Sequence, residues 1–196
     1  MLTTSDHKHW HAVYVRHNTE FKVETWLREQ GVEVYLPVQD VFREYAGKRV
    51  KVTKPVITGM VFVCLSRSEL PVVEQAPNVH HFFSKRGTNA PLVIPDQQMA
   101  DFRFMVDLSD TSILMVNEPI APGTMVTVAK GSMQGVRGEM VKYESKYYMA
   151  VRLQELGCAL ISVPVSYVRQ HSSALGKRAD EHGKLPLYQA RSAAYV

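Results

Sequence analysis

The stretch from Val56 to Leu65, V-I-T-G-M-V-F-V-C-L, is the longest apolar run in the chain and carries no charge. Ten residues with Gly59 inside them are too few to cross a bilayer, and three valines with Phe62 favour a buried central strand over a helix. Everything before Ser109 can be arranged around that strand.

Taken in order, Trp10 to Val15 (W-H-A-V-Y-V) predicts a first strand, and Asn18 or Thr19 predicts the N-cap of a helix that runs to about Gln30, where Gly31 stops it. On a helical wheel Val23, Trp26 and Leu27 share one face, while Phe21, Lys22, Thr25 and Arg28 share the opposite one. From Val32 the chain alternates as far as Tyr45, turns at Ala46-Gly47-Lys48 and alternates again through Pro55, which predicts a long hairpin with a basic return strand. Arg49, Lys51 and Thr53 then lie on one face of that strand, Val50 and Val52 on the other. Ser66 to Gln75 reads as a short helix and Val79 to Phe83 as a strand. After P-L-V-I-P-D, Pro95-Asp96 opens a helix through Met99, Phe102, Phe104, Met105 and Leu108. The order predicts an α+β fold over residues 1–108, an antiparallel sheet flanked by helices.

Periodicity ends over residues 109–121, where Asn117-Glu118-Pro119 and Ala121-Pro122-Gly123 read as a linker. Residues 122–170 then show short strands around a glycine-rich turn with Gly131, Gly135 and Gly138. That is a small all-β unit of barrel size, near the lower limit for an independent core. Residues 171–196 are polar and small, and are expected to form a disordered tail.

Charge and composition exclude more than they identify. Residues 1–108 hold 13 Lys/Arg against 12 Asp/Glu, and residues 122–170 hold 6 against 3, so no segment is a polycation able to grip free duplex DNA. Cys64 and Cys158 lack zinc or redox spacing and read as buried small hydrophobes in a cytoplasmic protein. His7, His9 and His11 alternate without an acidic or thiol partner, so no metal is expected there. G-S-M-Q-G-V-R-G lacks the G-K-[ST] ending of a phosphate-binding loop. No set of residues reads as catalytic, no cofactor is expected and no stretch is long enough to span a membrane.

W-H-A-V-Y-V, K-V-E-T-W-L-R-E, V-Y-L-P, K-P-V-I-T-G-M-V-F-V and I-P-D-Q-Q-M, in that order, resemble the N-terminal (NGN) domain of NusG-type transcription elongation factors. V-A-K-G-S-M-Q-G-V-R-G-E-M-V resembles the KOW motif that follows it in the family, on a five-stranded barrel. The wording E-V-Y-L-P, the ending V-S-Y-V-R and the short KOW insert look most like the UpxY-type specialised paralogues, antiterminators for operons of surface polysaccharide synthesis.

The resemblance implies a monomeric binding module that docks on the clamp helices of the RNA polymerase β′ subunit and suppresses pausing. The apolar docking pocket of the family maps onto Trp10, Tyr14, Val56, Ile57 and Met60, with I-T-G-M standing where the commoner wording is F-P-G-Y. The positions with which specialised paralogues read non-template DNA correspond to Arg16, His17, Lys22, Trp26 and Gln30, of which the wheel turns Trp26 inward. In the KOW unit Met133 and Val136 stand where general NusG proteins carry aromatic residues that meet Rho or ribosomal protein S10. A housekeeping factor coupling polymerase to Rho or the ribosome, and a ribosome-associated KOW protein, are the alternatives.

Overall fold

Strands form where apolar side chains alternate or run together, and Pro37 and Gly59 mark where two of them break. The computed structural model of the chain describes residues 7–45, 47–109, 111–117 and 120–170. The first unit comprises β1 (His9–Val15), α1 (Glu20–Glu29), β2 (Glu33–Tyr35), β3 (Val38–Tyr45), β4 (Lys48–Pro55), β5 (Met60–Leu65), α2 (Leu70–Glu74), β6 (Val79–Phe82) and α3 (Asp96–Leu108). One antiparallel sheet runs β2-β5-β1-β6, with Tyr14 opposite Met60 and Ala12 opposite Phe62.

Alternation along β1 and β5 sends two sets of side chains to opposite faces. Val13, Val15, Val61, Val63 and Leu65 pack with Val23 and Leu27 of α1 and Val73 of α2. Trp10, Ala12, Met60, Phe62 and Cys64 pack with Met99, Phe102 and Met105 of α3. All six residues of β5 are buried, as the apolar run requires. Burial pushes the Cys64 thiol up to about 11, which suits packing and not nucleophilic chemistry.

The apolar run is not strand throughout. Val56 to Gly59 bends and turns, with Gly59 in the left-handed region at φ 73°. Its carbonyl accepts the Val15 N–H at 2.9 Å. The long hairpin is likewise interrupted. Pro37 has no N–H to extend the β2 ladder, and its carbonyl accepts the Val56 N–H at 2.8 Å. Beyond it, β3 and β4 leave the sheet and pair only with each other, Val38 with Pro55 through Tyr45 with Lys48, as a separate ribbon.

The second unit comprises β7 (Leu114–Val116), β8 (Thr124–Val128), β9 (Arg137–Tyr143), β10 (Lys146–Arg152), β11 (Cys158–Ile161) and β12 (Val168–Gln170). Its antiparallel strand order is β12-β8-β9-β10-β11-β7. The extra edge strand β7 lies inside the stretch read as a linker, where Leu114–Val116 pairs with Cys158–Leu160. Gly138 of β9 has its own reason: a Cβ there would stand 2.6 Å from the Ala150 carbonyl oxygen. Glu139 accepts from Arg152 at 2.8 Å and from the Gly123 N–H at 3.1 Å, which fastens the entry into β8 to the sheet. The Arg152 guanidinium holds the Glu139 carboxyl below the usual carboxylate range.

Helix α3 lies between the two units. Its Met99, Phe102 and Met105 belong to the same apolar cluster as Met149, Val151, Leu153 and Ile161 of the second unit. Three polar contacts accompany it: Gln98 accepts the Gln154 N–H at 3.0 Å, Glu155 the Arg86 N–H at 2.8 Å, and Gln39 the Ile113 N–H at 3.0 Å. The tail expected over residues 171–196 lies outside the described residues.

Candidate functional site

Two surfaces meet at the end of β1. The first is the turn into α1. Arg16 donates its N–H to the Asn78 carbonyl at 2.8 Å, and Asn18 adopts φ 63°, a left-handed position that asparagine tolerates. Thr19 caps the helix by position, but its hydroxyl donates to the Arg16 carbonyl at 2.6 Å and accepts no hydrogen bond from a helix amide. The result is a tight turn that leaves Arg16 and His17 exposed, with exposed Lys22 in the first turn of α1. Gln30 is exposed as well, but eight residues beyond Lys22, or about 12 Å along the helix axis. Trp26 is half-buried against Val23 and Leu27, as the wheel has it, and Phe21 stands 46% exposed.

The second surface is apolar. The Tyr14 ring lies 4.9 Å from His81 and 5.7 Å from Phe83 by centroids. Tyr14, Phe83, Val56 and Ile57 are all half-buried against the cluster that contains Trp10 and Met60. The five residues expected to dock on polymerase thus belong to or pack against one apolar cluster, but they are not equally exposed. Trp10 is 7% exposed, with the Arg103 guanidinium 5.4 Å from its ring, and Met60 is 6% exposed. A docking role expects Met60 to offer an accessible side chain. It is instead the first residue of β5, because the turn ends at Gly59 and the ladder to Tyr14 begins at once. Of the five, Tyr14, Val56 and Ile57 keep partly exposed apolar surface, whereas Trp10 and Met60 are buried.

Sequence reading missed His81 and Phe83 as members of this patch. The signal was present in the period of two: Phe82 is buried on the α1 side, so its neighbours turn toward Tyr14. It also missed Glu20. This carboxylate is 3% exposed, at the start of α1, and accepts the Gly59 N–H at 2.7 Å. Glu20 therefore ties the polar turn to the segment that carries Val56 and Ile57.

In the second unit, Met133 and Val136 lie in the turn between β8 and β9, where Val136 donates its N–H to Met133. Met133 is half-buried and Val136 only 1% exposed, both within the cluster around α3. Val136 is therefore a packing residue, and the loop presents little apolar surface of its own. The histidines divide similarly: His11 is buried and donates from Nδ1 to the Leu92 carbonyl at 2.9 Å, whereas His7 and His9 are exposed. Burial lowers the His11 pKa against the opposing effect of that hydrogen bond. Among the described residues no group of three His, Cys, Asp or Glu is placed to hold a metal.

What the fold defines is a two-unit α+β protein whose candidate sites are surfaces, one apolar and one polar, with a basic ribbon beside them. Residues 8–103, most of the first unit, match the family model described as "NusG: Transcription termination factor nusG". Among solved structures, "Domain interaction in Thermotoga maritima NusG" is similar at 19% identity, covering 84% of this chain and 97% of that one, with a TM-score of 0.47. Chains from the structures titled "Crystal Structure of MjSpt4:Spt5 complex", conformations A and B, are similar at 15% identity. They cover 82% and 84% of this chain, and 96% and 97% of their own, with TM-scores of 0.27 and 0.28. A search of curated proteins found no match. No helix among the described residues is long and apolar enough to cross a membrane.

Proposed function

We propose that this chain is a transcription elongation and antitermination factor that docks on RNA polymerase through the apolar patch around Tyr14, Val56 and Ile57. The carrying observation is the coincidence of two facts. The NusG-type match spans residues 8–103, and within that span the half-buried Tyr14, Val56, Ile57 and Phe83 pack against the cluster that contains Trp10 and Met60. Apolar groups that fold leaves partly wet, on a rigid floor, are what a docking surface requires. The partner is the clamp-helix region of the β′ subunit. A ligand that prefers the closed clamp shifts the enzyme toward it by the difference in affinity between open and closed states, and needs no chemistry of its own.

In this reading Arg16, His17 and Lys22 reach exposed non-template DNA beside the docking patch, with Gln30 at the far end of α1. The specialised, operon-specific reading, surface polysaccharide synthesis being the example, is supported by the burial of Val136. A housekeeping factor that captures Rho or ribosomal protein S10 with that loop would need it to project. The test is single-round transcription through a pause or terminator with purified polymerase. Added protein is expected to shorten the pause or raise readthrough. No effect on any template, together with capture of ribosomes but not polymerase, would contradict the proposal.

A further inference from the structure

The two faces of the ribbon β3–β4 differ in charge, and neither belongs to the docking patch or to the polar turn. Residues 38–55 carry five Lys/Arg against two Asp/Glu, so three of the chain's four net positive charges lie in this one hairpin. Residues directly opposite each other in an antiparallel ladder share a face. Phe42 pairs with Lys51, Glu44 with Arg49 and Asp40 with Thr53, so on this face two carboxylates meet two cations and the charge cancels. Its members also engage one another: Lys51 pairs with Asp40 at 2.8 Å, and the Arg49 guanidinium sits 4.2 Å from the Phe42 ring centroid.

The opposite face carries the whole excess. Tyr45 pairs with Lys48, Arg43 with Val50 and Gln39 with Lys54, which gathers three cations and no carboxylate. Among the described residues Arg43, Lys48 and Lys54 have no acidic partner. On the same face Tyr45 is 54% exposed and Val50 43%. A two-stranded ribbon has no core of its own and is marginal alone, so neighbouring cations and wet apolar side chains on it gain nothing for folding. Such a face fits a polyanion that also offers apolar surface. A duplex shows its phosphates but keeps the faces of its bases inside the stack. A single strand offers both, phosphates for the cations and an unstacked base for the Tyr45 ring.

We infer that the Arg43–Tyr45–Lys48 face of the ribbon takes single-stranded RNA, with a base stacked on Tyr45 and phosphates neutralised by Arg43, Lys48 and Lys54. Two arguments favour RNA over DNA. The Tyr45 hydroxyl has no partner among the described residues, and a base stacked on the ring brings its ribose, with the 2′-OH that DNA lacks, beside that hydroxyl. The second argument rests on the proposed function: the DNA strand is met by the turn that holds Arg16, His17 and Lys22, and the RNA product is the other single strand that an elongating polymerase presents.

The test needs no polymerase, so its failure is distinct from failure of the docking proposal. Fluorescence anisotropy of a labelled twelve-nucleotide RNA strand, and of DNA of the same sequence, is measured with the full chain over a series of salt concentrations. The RNA is expected to bind more tightly. Tyr45→Ala is expected to weaken RNA binding about fivefold or more, and Tyr45→Phe, which keeps the ring, to bind DNA as the parent does and to lose the preference for RNA. Arg43→Gln with Lys48→Gln is expected to lower the log–log salt slope by about 1.4, two phosphates at roughly 0.7 each. Arg49→Gln with Lys51→Gln, on the neutral face, is expected to leave it unchanged. All five positions are exposed, so circular dichroism and melting are expected to match the parent. Unchanged RNA affinity in Tyr45→Ala, or equal slopes in the two double variants, would overturn the inference. So would tighter binding of the DNA strand, of the duplex, or of an acidic peptide in competition.

Discussion

The ribbon β3–β4 and the strand β5 are neighbours in sequence, both β and both rich in valine, and they meet opposite fates. Every residue of β5 is buried, while Phe42, Tyr45 and Val50 of the ribbon stand in water. β-Propensity does not separate them. Charge does: β5 has none, so the sheet can close over both of its faces, whereas the ribbon's Arg and Lys side chains keep it out of any core. Between the two lie Val56 and Ile57, half-buried at the turn. Burial therefore grades along one stretch of chain from the buried strand β5, through a half-buried junction, to an exposed charged arm.

The sharpest way to break this gradient is at its buried end. Phe62 is fully buried and its ring lies 5.6 Å from Phe102, so Phe62→Ala is expected to cost about 3–5 kcal/mol in denaturant unfolding. A loss below about 1 kcal/mol would show that β5 is not the organising strand. The junction should respond less. Glu20→Ala leaves the Gly59 N–H without its acceptor, an expected loss of about 1–3 kcal/mol, while Glu20→Gln keeps an acceptor oxygen and is expected to recover most of it. Equal losses in the two variants would mean that the contact does not hold the turn. At the exposed end the ribbon substitutions described above are expected to leave stability within about 0.5 kcal/mol of the parent.

Much of this was legible in the sequence, and the misses have identifiable causes. Helix α1 ends one residue before the predicted Gln30, and Val23, Leu27 and Phe21 lie where the wheel puts them, because amphipathic period is a local property. The antiparallel α+β order of the first unit follows the apolar runs. The start of β5 was misplaced because Val56 and Ile57 are as apolar as the strand itself. Only the left-handed Gly59 and its contacts to Val15 and Glu20 separate them, and those contacts are not local. Strand β7 escaped because Leu114–Val116 is short, next to Asn117-Glu118-Pro119, and defined by pairing with residues more than forty positions away. For the same reason the burial of Met60 and Val136 is not legible in the sequence: neither hydropathy nor spacing reveals that α3 packs a cluster shared by both units.

The central claim, that the half-buried junction is a docking surface and not merely the rim of a core, is tested most directly by affinity for the isolated β′ clamp helices. The comparison is the parent chain against a Tyr14→Ala, Ile57→Ser double variant, with melting curves taken on the same samples. Because both side chains are only half-buried, the variant is expected to remain folded, yet to lose at least tenfold in affinity, about 1.4 kcal/mol. A folded variant that binds the clamp helices as tightly as the parent would contradict the account.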